Sequence, residues 1–593
     1  MIKEKIKQSL IKALKQSDIQ LDEQKILVEQ TDSLDKGDYT TNIAMQLASI
    51  LKMNPRELAN SIVENINTME EIQKVEVAGP GFINFYLSDK YLLDQIKDIL
   101  DKGGMEYVKS GIKEGKNILI EYTDANPFKV FHIGHLYTNA VGEAFSRLQE
   151  TTGANVKRAS YQGDIGLHVA KTMWGIRYLF DKNSQTFGDI EKLDLSKKVQ
   201  FLGEAYMTGA EYYDDIKDAE AIKEIQDINY YLFQSVYSSI PMREFKDLDG
   251  LEIDKWYQEG RQWCLDQFET LYDTLGTNFD YMFFESKAGE IGYNMVKENI
   301  GKMFKEDQGA VIYEGDPDKG LHTRVFINKF GLPTYEAKEI GLAKAKSLKG
   351  TWDESIMITD KSQSAYFKVV LDALSKLLPS YASIVKHIPH GVIALPGMKK
   401  MSSRKGEVIS AEELISNTKK AIDDITKESG KEPNDEISMK IAIGAIKYAF
   451  LRVSVGKNII FDITKDIQID GDTGPYLMYV YTRAMSILNS SESSFENLDD
   501  LNGAQLTPHV KALIRAISRF DSVVLNSSVN YSPSTLCTYL FELGQTFNHF
   551  YQEVNVLNST EDEKPLLLAI VRSTAEIMKT GLYLLGIETV ERM

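Results

Sequence analysis

Cysteine is nearly missing from this chain. Cys264 and Cys537 are its only two, far apart and with no CxxC pair among 593 residues. That excludes a disulfide framework and a cysteine zinc site, so no zinc is expected, and it fits a reducing compartment. No run of 18 apolar residues exists, so no membrane span is expected. The N-terminus MIKEKIKQSLIKALKQ lacks the long apolar core of a signal peptide, and with Glu4 and no arginine it is unlike an organellar transit peptide. A cytoplasmic location is the expectation. Histidine is scarce, and His387 and His390 have no further ligand candidates nearby, so they read as ordinary polar positions and no metal site is expected. Positive charge is also short. The net charge of −18 argues against a protein that coats nucleic acid, though a large acidic enzyme still has room for a local basic track.

What is present is ordinary globular material, 43% hydrophobic and 26% charged, long enough for three or four domains. Ile2, Ile6, Leu10 and Leu14 recur every four residues on one helical face. Val75-Glu76-Val77, the turn Gly79-Pro80-Gly81 and Phe82–Leu87 then read as strand, turn and strand, so residues 1–110 form a small α+β domain. Ile118-Leu119-Ile120 predicts a buried strand, followed by the turn Asp124-Ala125-Asn126-Pro127. Leu136 to Leu148 keeps helical spacing up to Gly153, and Val156 to Tyr161 predicts a second strand. Strand, helix, strand is the unit of a doubly wound parallel sheet, whose ligand site lies at the C-terminal strand ends. Residues 111–455 are assigned to this α/β domain, with a largely helical, acidic, tyrosine-rich insertion at about 175–320. Residues 456–593 read as an all-helical domain.

The sharpest motif is His132-Ile133-Gly134-His135, at the start of the predicted helix. A helix N-terminus presents unpaired N–H groups to an anion, imidazoles can hydrogen-bond phosphate oxygens, and Gly134 lets a flat base approach the backbone. Far downstream, Lys399-Lys400-Met401-Ser402-Ser403-Arg404-Lys405-Gly406 sets four cations and two hydroxyls in a loop able to cover a triphosphate. Alone, such a basic loop reads equally as solvated surface.

Together the two motifs resemble the HIGH and KMSKS signatures of class I aminoacyl-tRNA synthetases. Within that class the chain resembles the arginyl family along nearly its whole length. The stretch from Glu121 through Asn126 to Leu136 is similar to the arginyl version of the first motif. Gly37-Asp38-Tyr39-Thr40-Thr41-Asn42 and Gly79 to Phe85 resemble the family's appended tRNA-contacting domain, and Gly474 to Tyr479 with Leu584 to Met593 resemble its anticodon-binding domain. The resemblance implies a Rossmann-like catalytic domain, ATP and L-arginine as substrates, magnesium with the ATP, the tRNA for arginine as partner, and a monomer. It also implies that arginine activation needs bound tRNA.

Residue by residue, it implies that His132, His135, Lys129, Lys400 and Lys405 serve catalysis. His132, Gly134, His135, Met401, Ser402 and Ser403 would hold ATP. Glu121 and Asn126 would hold the α-amino and carboxylate end of arginine, with Tyr335, Glu339 and Gln363 as further arginine contacts. Tyr335 and Glu339 are four apart, hence on one face if that segment is helical. A carboxylate is the natural bidentate partner of a guanidinium. From the residues alone, Glu339 also reads as a solvated helix charge, Tyr335 as core packing and Gln363 as a surface amide. Gly163-Asp164-Ile165-Gly166 resembles a family segment beside the pocket and reads equally as a structural turn.

The sequence departs from the family pattern in three places: Glu339 stands for the usual aspartate, Ser403 for the last lysine of KMSK, and Tyr366 for a common histidine. Lys129, three residues ahead of His132, could serve for the missing lysine. Among other readings, a cysteinyl enzyme would need zinc ligands that are missing, and a glutamyl enzyme would need cations where Glu121 and Glu339 stand. A small nucleotidyltransferase would be shorter, and a non-catalytic RNA-binding relative would be expected to lose one of the two motifs.

Overall fold

The computed structural model describes residues 2–17, 19, 22–31, 36–246, 248–397, 409–491 and 506–593. Helix Ile2–Gln16 buries Ile2, Ile6, Leu10 and Leu14, the face expected from their spacing. It accompanies a four-stranded antiparallel sheet of β1 (Glu29–Gln30), β2 (Tyr39–Thr41), β3 (Ile72–Ala78) and β4 (Phe82–Leu87), in the order β1-β2-β4-β3. Gly79 and Gly81 turn β3 into β4 at positive φ; a Cβ on Gly81 would also lie 2.9 Å from the Pro55 carbonyl oxygen.

The central sheet is five-stranded and parallel throughout. Its strands are β5 (Asn117–Glu121), β6 (Asn155–Gln162), β7 (Tyr281–Phe284), β11 (Glu354–Asp360) and β12 (Val385–His390), in the order β12-β11-β5-β6-β7. Ile118, Leu119 and Ile120 are wholly buried, as a strand covered on both faces requires. Helix Ile133–Glu150 makes the crossover from β5 to β6. The chain winds outward from β5 in both directions, so the sheet switches between β5 and β11 and opens a crevice there.

One expectation needs correcting. Helices Leu167–Asn183, Leu195–Ala210, Ala219–Val236 and Gly250–Thr274 do fill the first part of the segment assigned to the insertion. Tyr281–Phe284, however, pairs in parallel with β6 and is the edge strand of the central sheet. Beyond it, β8 (Lys305–Asp307), β9 (Ala310–Tyr313) and β10 (Arg324–Ile327) form a small antiparallel sheet. Strands of three or four residues between long helices carry too little alternation to stand out in sequence.

The C-terminal region is helical, including Gly474–Asn489, Pro533–Glu553 and Lys564–Leu584. It packs against both other regions in one apolar cluster. Polar clasps reinforce this packing. Asp38 pairs with Arg515, both nearly buried. At the base of the central sheet Glu354 accepts from Lys113 at 2.7 Å, Tyr531 at 2.7 Å and Lys386.

Burial raises the Glu354 carboxyl, but these three donors outweigh it and hold the group down at about 2. A depressed carboxylate stabilises the fold above its unfolded pKa, and the effect is lost as pH falls through the folded one. Glu354→Gln is therefore expected to lose roughly 2–3 kcal/mol at pH 7 in urea denaturation. The gap from the parent protein should stay constant above pH 5.5 and close between pH 4.5 and 2; a gap indifferent to acid would contradict it.

Candidate active site

The crevice at the sheet's switch point is a cleft of about 600 Å³, a size suited to a small ligand. Its floor is the loop between β5 and the helix Ile133–Glu150. Three non-glycine residues of this loop have positive φ: Thr123 at 77°, Asp124 at 49° and Phe128 at 66°. Such residues persist only where their surroundings hold them. The Asn139 amide donates to Thr123 Oγ1 at 3.1 Å, and Asp124 Oδ1 accepts from the Tyr161 N–H at 2.8 Å. Asn126 Oδ1 accepts from the Gly163 N–H at 2.9 Å, and the Phe128 N–H points to Cys264 Sγ at 3.2 Å. Gly163 leaves room for that asparagine: a Cβ there would lie 2.2 Å from Asn126 Oδ1.

His132 caps the helix. Its Nδ1 accepts from the Gly134 N–H at 3.1 Å, and His135 Nδ1 accepts from the His132 N–H at 3.2 Å. The two rings stack at 3.8 Å. With both Nδ1 atoms accepting, the neutral rings carry their proton on Nε2 as a donor. Burial, then the Lys129 charge, lowers His132 to about 4; burial, then His132 and Lys129, holds His135 well below the usual imidazole range. Gly134 is required inside the motif, since a Cβ would stand 2.9 Å from the His132 ring. Backbone bonds Ile133 N to Ile409 O and Ala411 N to Phe131 O pin the motif to the start of helix Ala411–Glu428.

Five carboxylates line the cleft: Glu121, Asp124, Glu285, Glu339 and Asp360. Glu121 pairs with the buried Lys346 at 2.6 Å, and Glu285 with the buried Lys338 at 2.6 Å. Asp124 accepts from the backbone of Tyr161, and Asp360 from that of Ser362 at 2.7 Å. Glu339 has no hydrogen bond or ion pair among the described residues. Burial, then the Glu121 charge, pushes its carboxyl well above the usual range, and the same two causes raise Asp124. A cation entering beside Glu339 would relieve that repulsion.

Of the sequence-derived site residues, Glu121, Asn126, His132, Gly134, His135, Tyr335, Glu339 and Gln363 all line this one cleft. Tyr335 opens helix Tyr335–Ser347 and Glu339 stands one turn later. Tyr335 is 59% exposed, which removes the core-packing reading. Lys129 borders a neighbouring cavity of about 300 Å³, with its Nζ 5.9 Å from the centre of the Tyr206 ring. Lys400, Met401, Ser402, Ser403 and Lys405 lie outside the described residues. Asp164 does not line the cleft. It takes Arg261 at 2.7 Å and the Ser286 N–H and Oγ at 2.8 and 2.7 Å, which fixes the helix beginning at Glu285.

Sequence reasoning missed Asp124, Glu285, Tyr161 and His390 as cleft residues. His390, taken for an ordinary polar position, ends β12 with its ring edge-on to Tyr137 at 4.9 Å. Neither Glu285 nor His390 carries a local signal: each directly follows or ends a strand of the parallel sheet, a position that only the pairing of those strands reveals.

Comparison with known proteins agrees along the chain. Residues 1–87 match the family "Arginyl tRNA synthetase N terminal domain", residues 95–463 match "tRNA synthetases class I (R), catalytic domain", and residues 477–593 match "DALR anticodon binding domain". The arginine–tRNA ligase of Fusobacterium nucleatum is 30% identical over 94% of this chain and 93% of its own length. That of Clostridium perfringens is 28% identical over 97% of each. The solved Thermus thermophilus arginyl-tRNA synthetase shares the fold, with a TM-score of 0.79 at 23% identity over 100% of both chains.

The loop geometry makes a checkable demand. Gly163→Ala should cost about 1–3 kcal/mol in urea denaturation, because the new Cβ displaces Asn126. Adding Asn126→Ala should recover part of that loss, giving a coupling of at least 0.5 kcal/mol in a double-mutant cycle. Strict additivity would mean that the two residues do not meet.

Proposed function

The chain belongs to the arginyl-tRNA synthetase family, and from that membership we propose the roles its cleft residues take in charging tRNA with arginine. The enzyme is an ATP-dependent arginine–tRNA ligase with a class I catalytic domain. One observation carries the residue assignment. A single cleft sets an unpartnered carboxylate, Glu339, beside two neutral imidazole donors on a helix N-terminus. The first suits a guanidinium and the second a phosphate.

In the first step the arginine carboxylate attacks the α-phosphorus of ATP in line, forming arginyl-adenylate and releasing pyrophosphate. In the second, the 2′-hydroxyl of the terminal adenosine attacks the adenylate carbonyl and releases AMP. Glu339 and Tyr335 take the guanidinium end, with Gln363 at the rim. Asn126 and Glu121 hold the α-amino and carboxylate end. The Nε2–H groups of His132 and His135 stabilise charge developing at the α-phosphate, and Gly134 leaves room for the nucleotide. Lys129, Lys400 and Lys405 neutralise the outer phosphates, with Met401, Ser402 and Ser403 against the nucleotide. Lys129 serves in place of the lysine missing at Ser403. Magnesium arrives with ATP as part of that substrate.

The three-part division at about residues 110 and 455, tRNA-dependent activation, a monomeric state and a cytoplasmic location complete this reading. Among the described residues no helix is long and apolar enough to cross a membrane. ATP–pyrophosphate exchange with each amino acid, with and without tRNA, tests the whole; exchange with an amino acid other than arginine would defeat it.

Two finer tests separate the roles. His135→Asn keeps an acceptor where Nδ1 caps the helix and removes the Nε2 donor. Turnover should fall on the order of 100-fold with the thermal midpoint nearly unchanged; unchanged turnover would remove His135 from catalysis. Arginine binding should release protons at pH values where free Glu339 is still protonated, above the ordinary carboxylate range, because the guanidinium lowers its raised carboxyl. The affinity should therefore rise with pH and level off once free Glu339 is ionised. Calorimetry in buffers of different ionisation enthalpy measures this, and affinity independent of pH with no proton release would count against Glu339.

A further inference from the structure

Three tyrosine hydroxyls on the cleft wall, those of Tyr137, Tyr161 and Tyr366, are hidden from water and have no hydrogen-bond partner among the described residues. Tyr137 faces His390 with its ring edge. The other two belong to the arginine end. Tyr161 is the penultimate residue of β6 and only 8% exposed, two residues before the glycine that bonds Asn126. Tyr366 lies in helix Ser364–Leu377, which follows the turn carrying Gln363, and its ring packs edge-on to Phe367. Burial first, with the Glu339 charge among the other causes, pushes both phenols far up, so each keeps its proton.

A buried hydroxyl left unbonded is costly, and a pair of them lining one cleft with an unbonded carboxylate marks a place where a ligand completes the set. We propose that Tyr161 and Tyr366 determine specificity for arginine, each donating its hydroxyl hydrogen to the Glu339 carboxylate and accepting a guanidinium N–H on its oxygen. This rests on the assignment of Glu339 to arginine. The chemistry is selective because a guanidinium spreads five donors over a plane and has no acceptor. An array of acceptors around it satisfies several donors at once. A lysine ammonium concentrates three donors at one point and cannot reach the same set. Citrulline would turn a carbonyl oxygen toward acceptors.

The test uses full-length Tyr161→Phe, Tyr366→Phe and Glu339→Gln, with calorimetric titrations of L-arginine, L-lysine, L-citrulline and ATP. Each phenylalanine variant is expected to bind arginine at least 10-fold more weakly and ATP within twofold of the parent. The preference for arginine over lysine and citrulline should shrink by the same factor. The thermal midpoint of the free protein should be unchanged or higher, because an unbonded buried hydroxyl has gone, a result that a merely structural tyrosine would not give. Arginine affinity within twofold of the parent in both variants overturns the proposal, as does a parallel loss of ATP binding and stability. If Glu339→Gln loses arginine while both phenylalanine variants keep it, only the tyrosine roles fail. If all three keep it, the Glu339 assignment fails as well.

Discussion

The bonds that hold the loop after β5 in a backbone shape its own residues disfavour support everything else in the cleft. Thr123, Asp124 and Phe128 would each relax to negative φ if released. They are restrained from four directions: Asn139 on the signature helix, Tyr161 and Gly163 on and after β6, and Cys264 on the helix Gly250–Thr274. Cys264 is buried and its thiol is pushed up to about 12, so it stays an inert neutral partner. Strain of this kind fixes the loop's end point. It delivers His132 in extended conformation at the helix tip, where both imidazole Nδ1 atoms are already used and only Nε2 remains to act.

A site that must take a triphosphate and a cation has a sign conflict, and the pairing of its carboxylates resolves it. Five bare carboxylates would repel ATP. Lys346 and Lys338 neutralise two of them, and backbone N–H groups hold two others in place. That leaves Glu339 as the cleft carboxylate with no hydrogen bond or ion pair among the described residues, its carboxyl held up by burial and by Glu121 until a cation arrives. The imidazoles do not reinforce it with fixed charge, since burial keeps them neutral at physiological pH. In the role proposed for them they act as oriented dipoles, which strengthen as phosphate charge develops and cost no reorganisation. The overall charge of −18 therefore says little about the cleft.

Local patterns made part of this legible in sequence. The apolar run Ile118-Leu119-Ile120, the histidines on a helix start, and Tyr335 with Glu339 one turn apart all depend on neighbours in the chain, and the structure brings them to one cleft. What depends on distant packing was not legible. Tyr281–Phe284 is a strand only because β6 offers it an edge, and Glu285 enters the cleft only because Asp164 anchors Ser286. His390 reaches the wall because β12 runs parallel to β11, a fact with no local signature. Glu339 stood out in sequence, but nothing there shows that two of the three lysines of its own helix, Lys338 and Lys346, are committed to other carboxylates.

The same helix that carries the imidazoles at one end is bonded to the C-terminal region near its other end. Glu143 accepts from Tyr122 at 2.8 Å, from Arg147 at 2.7 Å and from Arg158 at 3.1 Å, tying the helix to β6 and to the residue after β5. Arg147 in turn donates to the Tyr583 carbonyl at 2.8 Å and the Gly276 carbonyl at 3.1 Å. Lys447, fully enclosed, donates to the Leu275 and Gly586 carbonyls at 2.6 Å each. Burial brings Lys447 down to about 7, so those two carbonyls hold an ammonium that is barely retained at neutral pH. Carbonyls at the end of helix Lys564–Leu584 and in the turn beyond it are thus bonded to cations packed on the signature helix. A displacement of the helical region that breaks these bonds leaves buried carbonyls, and the Lys447 amine, without their partners. The imidazole-bearing helix and the C-terminal turn are therefore constrained to move together, which is the mechanical condition for tRNA held by the helical region to bear on chemistry at the other end of that helix.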